Sequence, residues 1–251
     1  MRERAEVMAG LAKGLRIIEA FDEAHPKLTV STAAEAAGIT PAAARRCLLT
    51  MQELGYVSHD GKFFRPTPRM QRLGGSYSGS APLPVLAQPH LQVVRDELGE
   101  SASLAVLDGS HVTFVARVES QRIVTMNVRL GARLPAHASA TGRLLLSALP
   151  DEEIDRHLEG CVPERTGPNT VTDVAEIRRR ILAVRESGVS FTDEELELGI
   201  RTVAVPVVDA AGRTHAALSL AVLASRTSMD ELRERHVPVM QREAARLGQM
   251  L

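Results

Sequence analysis

Two adjacent arginines, Arg45 and Arg46, are the side chains of this 251-residue sequence best suited by type and placement to bind something. A guanidinium fork can bridge O6 and N7 of a guanine or hold a phosphate, and both residues fall on the polar face of a predicted helix. Other groups are weaker candidates. The acidic run Asp193, Glu194, Glu195 and Glu197 has the oxygens for a metal ion or for acid/base work. No histidine lies close to it in sequence and its neighbours read as exposed, so a solvated loop is expected. The eight histidines show neither H-x-H nor H-E-x-x-H spacing, and no G-x-S-x-G turn, P-loop or G-x-G-x-x-G occurs. Cys47 and Cys161 are too few for a disulfide framework or a cysteine metal site and read as inert fillers. Nothing asks for a catalyst, a cofactor or a metal, and an enzyme is not expected.

The arginines are positioned by the stretch from Ser31 to Arg65, which reads as helix, sharp turn, second helix and hairpin. Thr32 and Glu35 have capping-box spacing for the first helix, and Gly38 supplies the positive φ that ends it. Thr40 suits the N-cap of the second helix and Pro41 its first position, while Gly55 ends it. Ala44, Cys47, Leu48, Met51 and Leu54 share its apolar face, with Ala42, Arg45, Arg46, Leu49 and Glu53 roughly opposite. At about 14 residues and roughly 21 Å this helix fits a major groove. Tyr56-Val57, the turn Asp60-Gly61 and Phe63-Phe64 then spell a tight hairpin. The whole is a winged helix-turn-helix, whose candidate DNA contacts are Thr40, Ala42, Ala43, Arg45 and Arg46 on the helix and Lys62 and Arg65 on the wing. Leu49, apolar on the polar face, is expected to pack against the wing; contact with a thymine methyl is its other use.

Composition agrees with duplex DNA as the partner. Residues 1–75 carry 11 Lys and Arg against 8 Asp and Glu, whereas the remainder carries 19 against 23. Aromatic residues make up 3% with no Trp, which argues against a base-stacking platform for single strands. The longest uncharged apolar run, Ala216 to Ala224, is far short of the ~20 residues that span a bilayer, and MRERAEV at the start is charged with no apolar segment behind it. A cytoplasmic protein without membrane attachment is expected.

Before the two helices, residues 8–24 form an amphipathic support helix with Met8, Leu11, Leu15 and Ile18 as its stripe and Ile17 and Phe21 alongside. Lys27 to Val30 can add a small third strand to the wing. After the wing, GGSYSGSAPLP is a linker by composition, dividing the chain into a winged domain over 1–75, a linker over 76–83 and a second domain over 84–251. Pro84 to Leu98 reads as a helix bent near Pro89 that carries Val85, Leu86, Val93, Val94 and Leu98 toward a core. SASLAVL, the turn Asp108-Gly109 and HVTFVARV form a hairpin, and RIVTMNV a further strand. Helices at about 139–149, 151–158 and 173–187 precede strands at 201–208 and 213–222. A last helix over about 228–250 is kinked at Pro238. The fold class is therefore a two-domain α/β chain whose second domain is α+β, an antiparallel sheet flanked by helices.

Residues 131–150, GARLPAHASATGRLLLSALP, resemble the effector-domain signature of the IclR family of bacterial transcription regulators, in which LP-x-H-A-S/T leads into a G-[KR]-x-L-L-A-x-L-P helix. Residues 193–221, DEELELGIRTVAVPVVDAAGRTHAALSLA, resemble that family's D-E-E-x-x-x-G loop with the two strands and D-x-x-G turn that follow. The likeness runs in one register from about Leu11 to Leu247. GLRIIEAFDEAHPKLTVSTAA, AAARRCLLTMQELGYV, the F-x-x-T-P-R that ends the wing and AQPHL are similar to the subgroup that controls aromatic-acid catabolism in response to protocatechuate, 4-hydroxybenzoate or β-ketoadipate. Pro41 stands where relatives usually carry a basic residue, and His137 replaces a tyrosine sometimes found in their pocket loop.

The resemblance implies a GAF-like effector domain with a cleft between the sheet and the helix that begins near Ala140. By matching motif positions, Ile123, Met126, Leu134 and His137 would line it, with Ala140 and Thr141 at the helix start, Thr192, Ile200 and Thr202 at one strand and Ser219 and Ala221 at the last. Helix N–H groups and the positive dipole end make a seat for a carboxylate, and Thr202 and Ser219 add hydroxyls. Core packing for the apolar residues, backbone hydrogen bonds for Thr202 and Ser219 and a loop-holding role for His137 are the plainer readings. Arg133 could neutralise an anionic effector or simply sit at the surface. The implied function is a transcription regulator controlled by a small organic, aromatic acid that binds a palindromic operator as a homodimer or a dimer of dimers. The competing function is an enzyme or small-molecule carrier using the second domain, with the winged domain as a protein-interaction module.

Overall fold

The computed structural model describes residues 8–22, 25–73, 82–120 and 129–251. The chain divides into two compact units, Met1–Ser80 and Ala81–Leu251. The predicted linker 76–83 falls largely outside the described residues.

In the first unit, helices α1 (Ala9–Glu19), α2 (Val30–Ala36) and α3 (Pro41–Glu53) precede a two-stranded antiparallel hairpin of β1 (Val57–His59) and β2 (Phe64–Pro66). The cap of α2 differs from expectation. Thr29 Oγ1 accepts the Thr32 N–H at 3.2 Å and Thr32 Oγ1 accepts the Thr29 N–H at 2.9 Å, so the box is Thr29–Thr32 rather than Thr32–Glu35. Because Thr29 is already the cap, the expected third strand shrinks to Leu28, which exchanges backbone hydrogen bonds of 2.9 and 2.8 Å with Phe64. Gly38 and Gly55 end α2 and α3 with φ of 61° and 77°. Ala44, Leu48 and Met51 of α3 pack with Ala33, Ala34, Val57 and Phe64 in one core. Leu54, at the end of the helix, is exposed instead of joining that face. In α1 the buried residue is Ile17, while Met8, Leu11 and Leu15 of the expected stripe face outward. The helix carries apolar residues on two sides, and the unit covers only one.

The second unit is built on a six-stranded antiparallel sheet in the order β5-β4-β3-β8-β7-β6. Its strands are β3 (Ala102–Asp108), β4 (His111–Val118), β5 (Arg133–Pro135), β6 (Ser190–Asp193), β7 (Ile200–Val208) and β8 (Thr214–Leu223). The expected strand at 122–128 lies outside the described residues. β5 and β6 escaped the sequence reading because strands of three and four residues show too little alternation.

The two faces of this sheet differ in side-chain volume. Leu104, Val203, Val205, Val207, Leu218, Leu220 and Val222 pack against α4 (Pro82–Leu98) and the C-terminal helix Val237–Gly248. The opposite face carries Ala105, Ala204 and Ala217 under α5 (Ala140–Ser147) and α7 (Val174–Ser187). Between α5 and α7, α6 spans Asp151–Leu158. On α4 the core residues are Ala87, Leu91, Val94 and Leu98, whereas Val85 is exposed, against expectation. The last helical stretch breaks before Pro238, through a π turn over Leu232–His236, and the proline occupies the first turn of the helix that follows, where its missing N–H leaves no gap.

Candidate functional site

The first candidate surface is the outer face of α3. Thr40 Oγ1 accepts the Ala43 N–H at 3.3 Å, and Pro41 takes the first helical position, so the start of this helix is locally encoded. Thr40, Ala42, Arg45 and Arg46 are exposed, and neither arginine forms an ion pair among the described residues. Ala43 is turned into the core at 6% exposure, which removes its side chain from the candidate contacts. Leu49 stays 37% exposed.

On the wing, Asp60 Oδ1 accepts the Lys62 and Phe63 N–H groups at 3.0 and 2.7 Å, closing the turn. Those bonds, the Phe63 N–H foremost, hold its carboxyl below the ordinary carboxylate range. Lys62 stands 5.2 Å and Lys27 4.3 Å from the Phe63 ring centroid, so the wing presents a lysine that pattern reasoning did not pick. Arg65 is exposed and lies 3.5 Å from Asp60.

The second candidate site is a cavity of about 770 Å³ on the small-residue face of the sheet, between the strands and the start of α5. Its size suits a small organic molecule. Leu134, His137, Thr141, Thr192, Ile200, Thr202, Ser219 and Ala221 line it. Ala140 does not; it packs into the apolar cluster with Leu144. Ile123 and Met126 lie outside the described residues.

The start of α5 is fixed by its own sequence. Ser139 Oγ accepts the Gly142 N–H at 3.1 Å and donates to the Pro135 carbonyl at 3.1 Å, and the Thr141 hydroxyl reaches Ser139 Oγ at 3.3 Å. All eight residues of α5 are buried, Arg143 included. Burial first, then the charges of Arg143 and His111, push the His137 imidazole below its usual pKa, so it enters the cavity neutral at pH 7. Thr192 and Thr202, paired across β6 and β7, hydrogen-bond through their hydroxyls.

The acidic run is not the solvated loop that its composition suggested. Glu195 is 5% exposed, and its carboxylate accepts from Arg143 Nη2 at 2.7 Å and Arg180 Nη1 at 3.1 Å. Asp193 pairs with Arg201 at 2.6 Å, and Glu194, at φ 56°, accepts the Gly199 N–H at 2.8 Å. Glu197 lines the cavity. The cations that satisfy Glu195 come from distant helices, which no local pattern reveals. Arg133 sits at the surface, 3.3 Å from Asp108. Cys161 lines the cavity, with its thiol pushed up by burial. Among the described residues, no three His, Cys, Asp or Glu side chains gather as metal ligands, and no helix is long and apolar enough to cross a membrane.

The sequence reading missed Ser103, Phe114 and Arg117, all of which face the cavity. The β3–β4 register shifts so that Leu104 pairs with Ala116 but Ala105 with Phe114, leaving Val115 as a bulge. Val112 and Phe114 therefore point toward α5, whereas Val115, Ala116 and Val118 point toward the opposite core. Arg117 returns to the cavity side, its side chain 5% exposed, with Nη1 donating to Ser103 Oγ at 2.8 Å.

Comparison with known proteins covers both units of the chain. Residues 10–61 match the IclR helix-turn-helix domain, and residues 76–247 match the bacterial transcriptional regulator IclR C-terminal domain. The chain is 35% identical to the Pca regulon regulatory protein of Pseudomonas putida, over 94% of this chain and 81% of that protein. It is 37% identical to the p-hydroxybenzoate hydroxylase transcriptional activator of Acinetobacter baylyi, over 98% and 93% respectively. Among solved structures, an IclR homolog from Microbacterium hydrocarbonoxydans complexed with 4-hydroxybenzoate superposes with a TM-score of 0.82 at 26% identity, covering 96% of this chain and 98% of that one.

Proposed function

This chain belongs to the IclR family of bacterial transcriptional regulators, and from that premise we propose that it controls genes of aromatic-acid catabolism in response to an aromatic acid held in the sheet-side cavity. It is a DNA-binding regulator and not an enzyme, so the catalytic or carrier alternative falls away. The observation that carries the effector reading is the cavity itself: about 770 Å³, floored by small and hydroxyl side chains, with the start of α5 in its wall. The helix N-terminus suits a carboxylate, Thr192, Thr202 and Ser219 offer hydroxyls, and Leu134 and Ile200 flank an apolar ring.

For DNA, the reading is that α3 enters the major groove with Arg45 and Arg46 toward the bases and phosphates, while Lys62 and Arg65 on the wing hold the backbone. One such helix per chain suits a palindromic operator bound by a homodimer or a dimer of dimers in the cytoplasm. The effector shifts operator affinity through a coupling of about 1–3 kcal/mol.

The test is a gel-shift titration of the full chain with the DNA upstream of its own gene, with and without benzoate, 4-hydroxybenzoate and 3,4-dihydroxybenzoate. Salt-sensitive, sequence-dependent binding that at least one acid alters is the expected result. Binding that no acid changes would overturn the effector reading, and no sequence-dependent binding would overturn the operator.

A further inference from the structure

Resting on the operator reading above, we infer that Leu49 is itself a base-reading residue, its methyl groups packing on the 5-methyl of a thymine beside the base pair that Arg45 or Arg46 reads. Leu49 lies in the second half of α3 and is 37% exposed. Leu48, next to it, is fully buried, and Cys47 packs against the same core. The wing, which the sequence suggested would cover Leu49, leaves it open to solvent.

A lone exposed leucine is ordinary, so the argument rests on its company. Ala42, Arg45, Arg46 and Leu49 recur at spacings of three and four and are all exposed, which makes them one stripe of the helix. Helical side chains lean toward the N-terminus, so Leu49 reaches over the turn that carries both arginines. Thr50 donates its hydroxyl to the Arg46 carbonyl at 2.9 Å, using its only donor within the helix. Glu53, one turn further along and the last residue of α3, is repelled by phosphates, so the contact stretch ends at Leu49.

The chemistry selects the base. Thymine alone presents a methyl group in the major groove, while the other base edges there offer donors and acceptors that a leucine cannot satisfy. A leucine seated on such an edge displaces its water and returns no hydrogen bond, so it disfavours the wrong base as well as favouring the right one. Side chains three and four residues apart on a helix stand about 5–6 Å from one another. On a duplex that rises about 3.4 Å per base pair, the thymine is therefore one or two steps from the pair read by an arginine.

Deoxyuridine in place of thymidine removes only the 5-methyl group and tests this directly. The operator is first located by footprinting the DNA upstream of the gene with the full chain. Single thymines of each half-site are then replaced in turn, and affinities are read by fluorescence anisotropy. At one thymine per half-site the replacement is expected to weaken wild-type binding about three- to fivefold, the worth of one buried methyl. In Leu49→Ala the normal operator is expected to bind more weakly, and the same replacement to make no further difference; Leu49→Met retains the sensitivity. Should Leu49→Ala not fold, Leu49→Gln, a polar side chain of similar length, takes its place with the same expectation. An effect of equal size in wild type and variant, or none at any thymine, overturns the inference and leaves the operator reading intact. A changed oligomeric state with unchanged sensitivity to the methyl group assigns Leu49 to a second copy of the chain and overturns it too. If no sequence is protected, the operator reading falls with it.

Discussion

Arg143 of α5 and Glu195 of the β6–β7 loop meet at 2.7 Å, with side chains only 2% and 6% exposed. Arg143 Nε also donates to the His137 carbonyl at 2.9 Å, and the residues after Glu195, Leu196 and Glu197, line the cavity. One cation thus fixes two segments of the cavity wall that are far apart in sequence. Removing Glu195 strands the buried Arg143 guanidinium, and removing Arg143 leaves Glu195 with Arg180 as its remaining cation. Arg143→Met or Glu195→Gln is expected to lower stability by about 3–5 kcal/mol, whereas the double change Arg143→Met with Glu195→Leu recovers much of the loss. Urea unfolding of the full chain, followed together with 4-hydroxybenzoate affinity, reads this; single variants as stable as wild type would show that the pair holds nothing.

Gly142 sits where the cap of α5 meets the preceding loop. A Cβ there would overlap the backbone carbonyl and Cα of Ala136, and neither can swing aside as a flexible side chain would. Gly142→Ala is therefore expected to displace the 136–139 loop and abolish effector binding, with a marked drop in Tm. Gly109, by contrast, has open space at its Cβ position and a φ of 58° that αL-tolerant residues accept. Gly109→Asn should cost only about 1 kcal/mol, the lower end of the cost of a non-glycine residue in that conformation. Thermal melts of the two variants give the comparison.

On the DNA side, Arg46→Ala and Arg45→Ala are each expected to weaken operator binding by about 1–3 kcal/mol. A base-reading arginine relaxes sequence preference when removed, while a phosphate-binding one lowers affinity evenly and reduces the salt slope by about 1. Fluorescence anisotropy with operator and scrambled duplexes at several salt concentrations separates the two roles. Effector affinity should not change in either variant.

Glu243, 1% exposed, accepts from His90 Nδ1 at 2.9 Å, Arg242 Nε at 2.9 Å and Arg246 Nη1 at 2.8 Å. Burial pushes its carboxyl up, but the His90 and Arg242 hydrogen bonds and the arginine charges together hold it below the usual range. A carboxyl lowered in the folded state stabilises fully above its unfolded pKa of about 4.3 and loses that contribution as pH falls through the folded value. Glu243→Gln should therefore cost about 2 kcal/mol at pH 7, with the gap to wild type starting to narrow as pH falls below about 4.3. Denaturant midpoints from pH 3 to 8 provide the check; a gap no smaller at pH 3 than at pH 7 would contradict it.

Much of the first unit was legible in its residues because its signals are local. Thr40, Pro41, Gly38 and Gly55 cap and end helices through atoms within a few residues of themselves, and Asp60-Gly61 closes the wing the same way. The misreadings in that unit come from non-local facts. Which side of α1 is covered depends on where α2 and α3 pack, and Thr29 could be recognised as a cap only once Leu28 was known to be pinned to Phe64.

In the second unit, THAALSLAVL alternates: Leu218, Leu220 and Val222 join the bulky core, while Ala217 packs under α5 and Ser219 and Ala221 line the cavity. The sequence by itself therefore determined the winged helix-turn-helix and the antiparallel sheet, since periodicity and caps act over short range, whereas the cavity residues of its strands were reached only through family resemblance. The tertiary structure alone decided what stands on the cavity floor. HVTFVARV read as a regular strand puts Phe114 and Arg117 on opposite faces. Pairing with β3 forces Val115 out as a bulge and turns both onto one face, because register is set by the neighbouring strand and not by the strand's own residues.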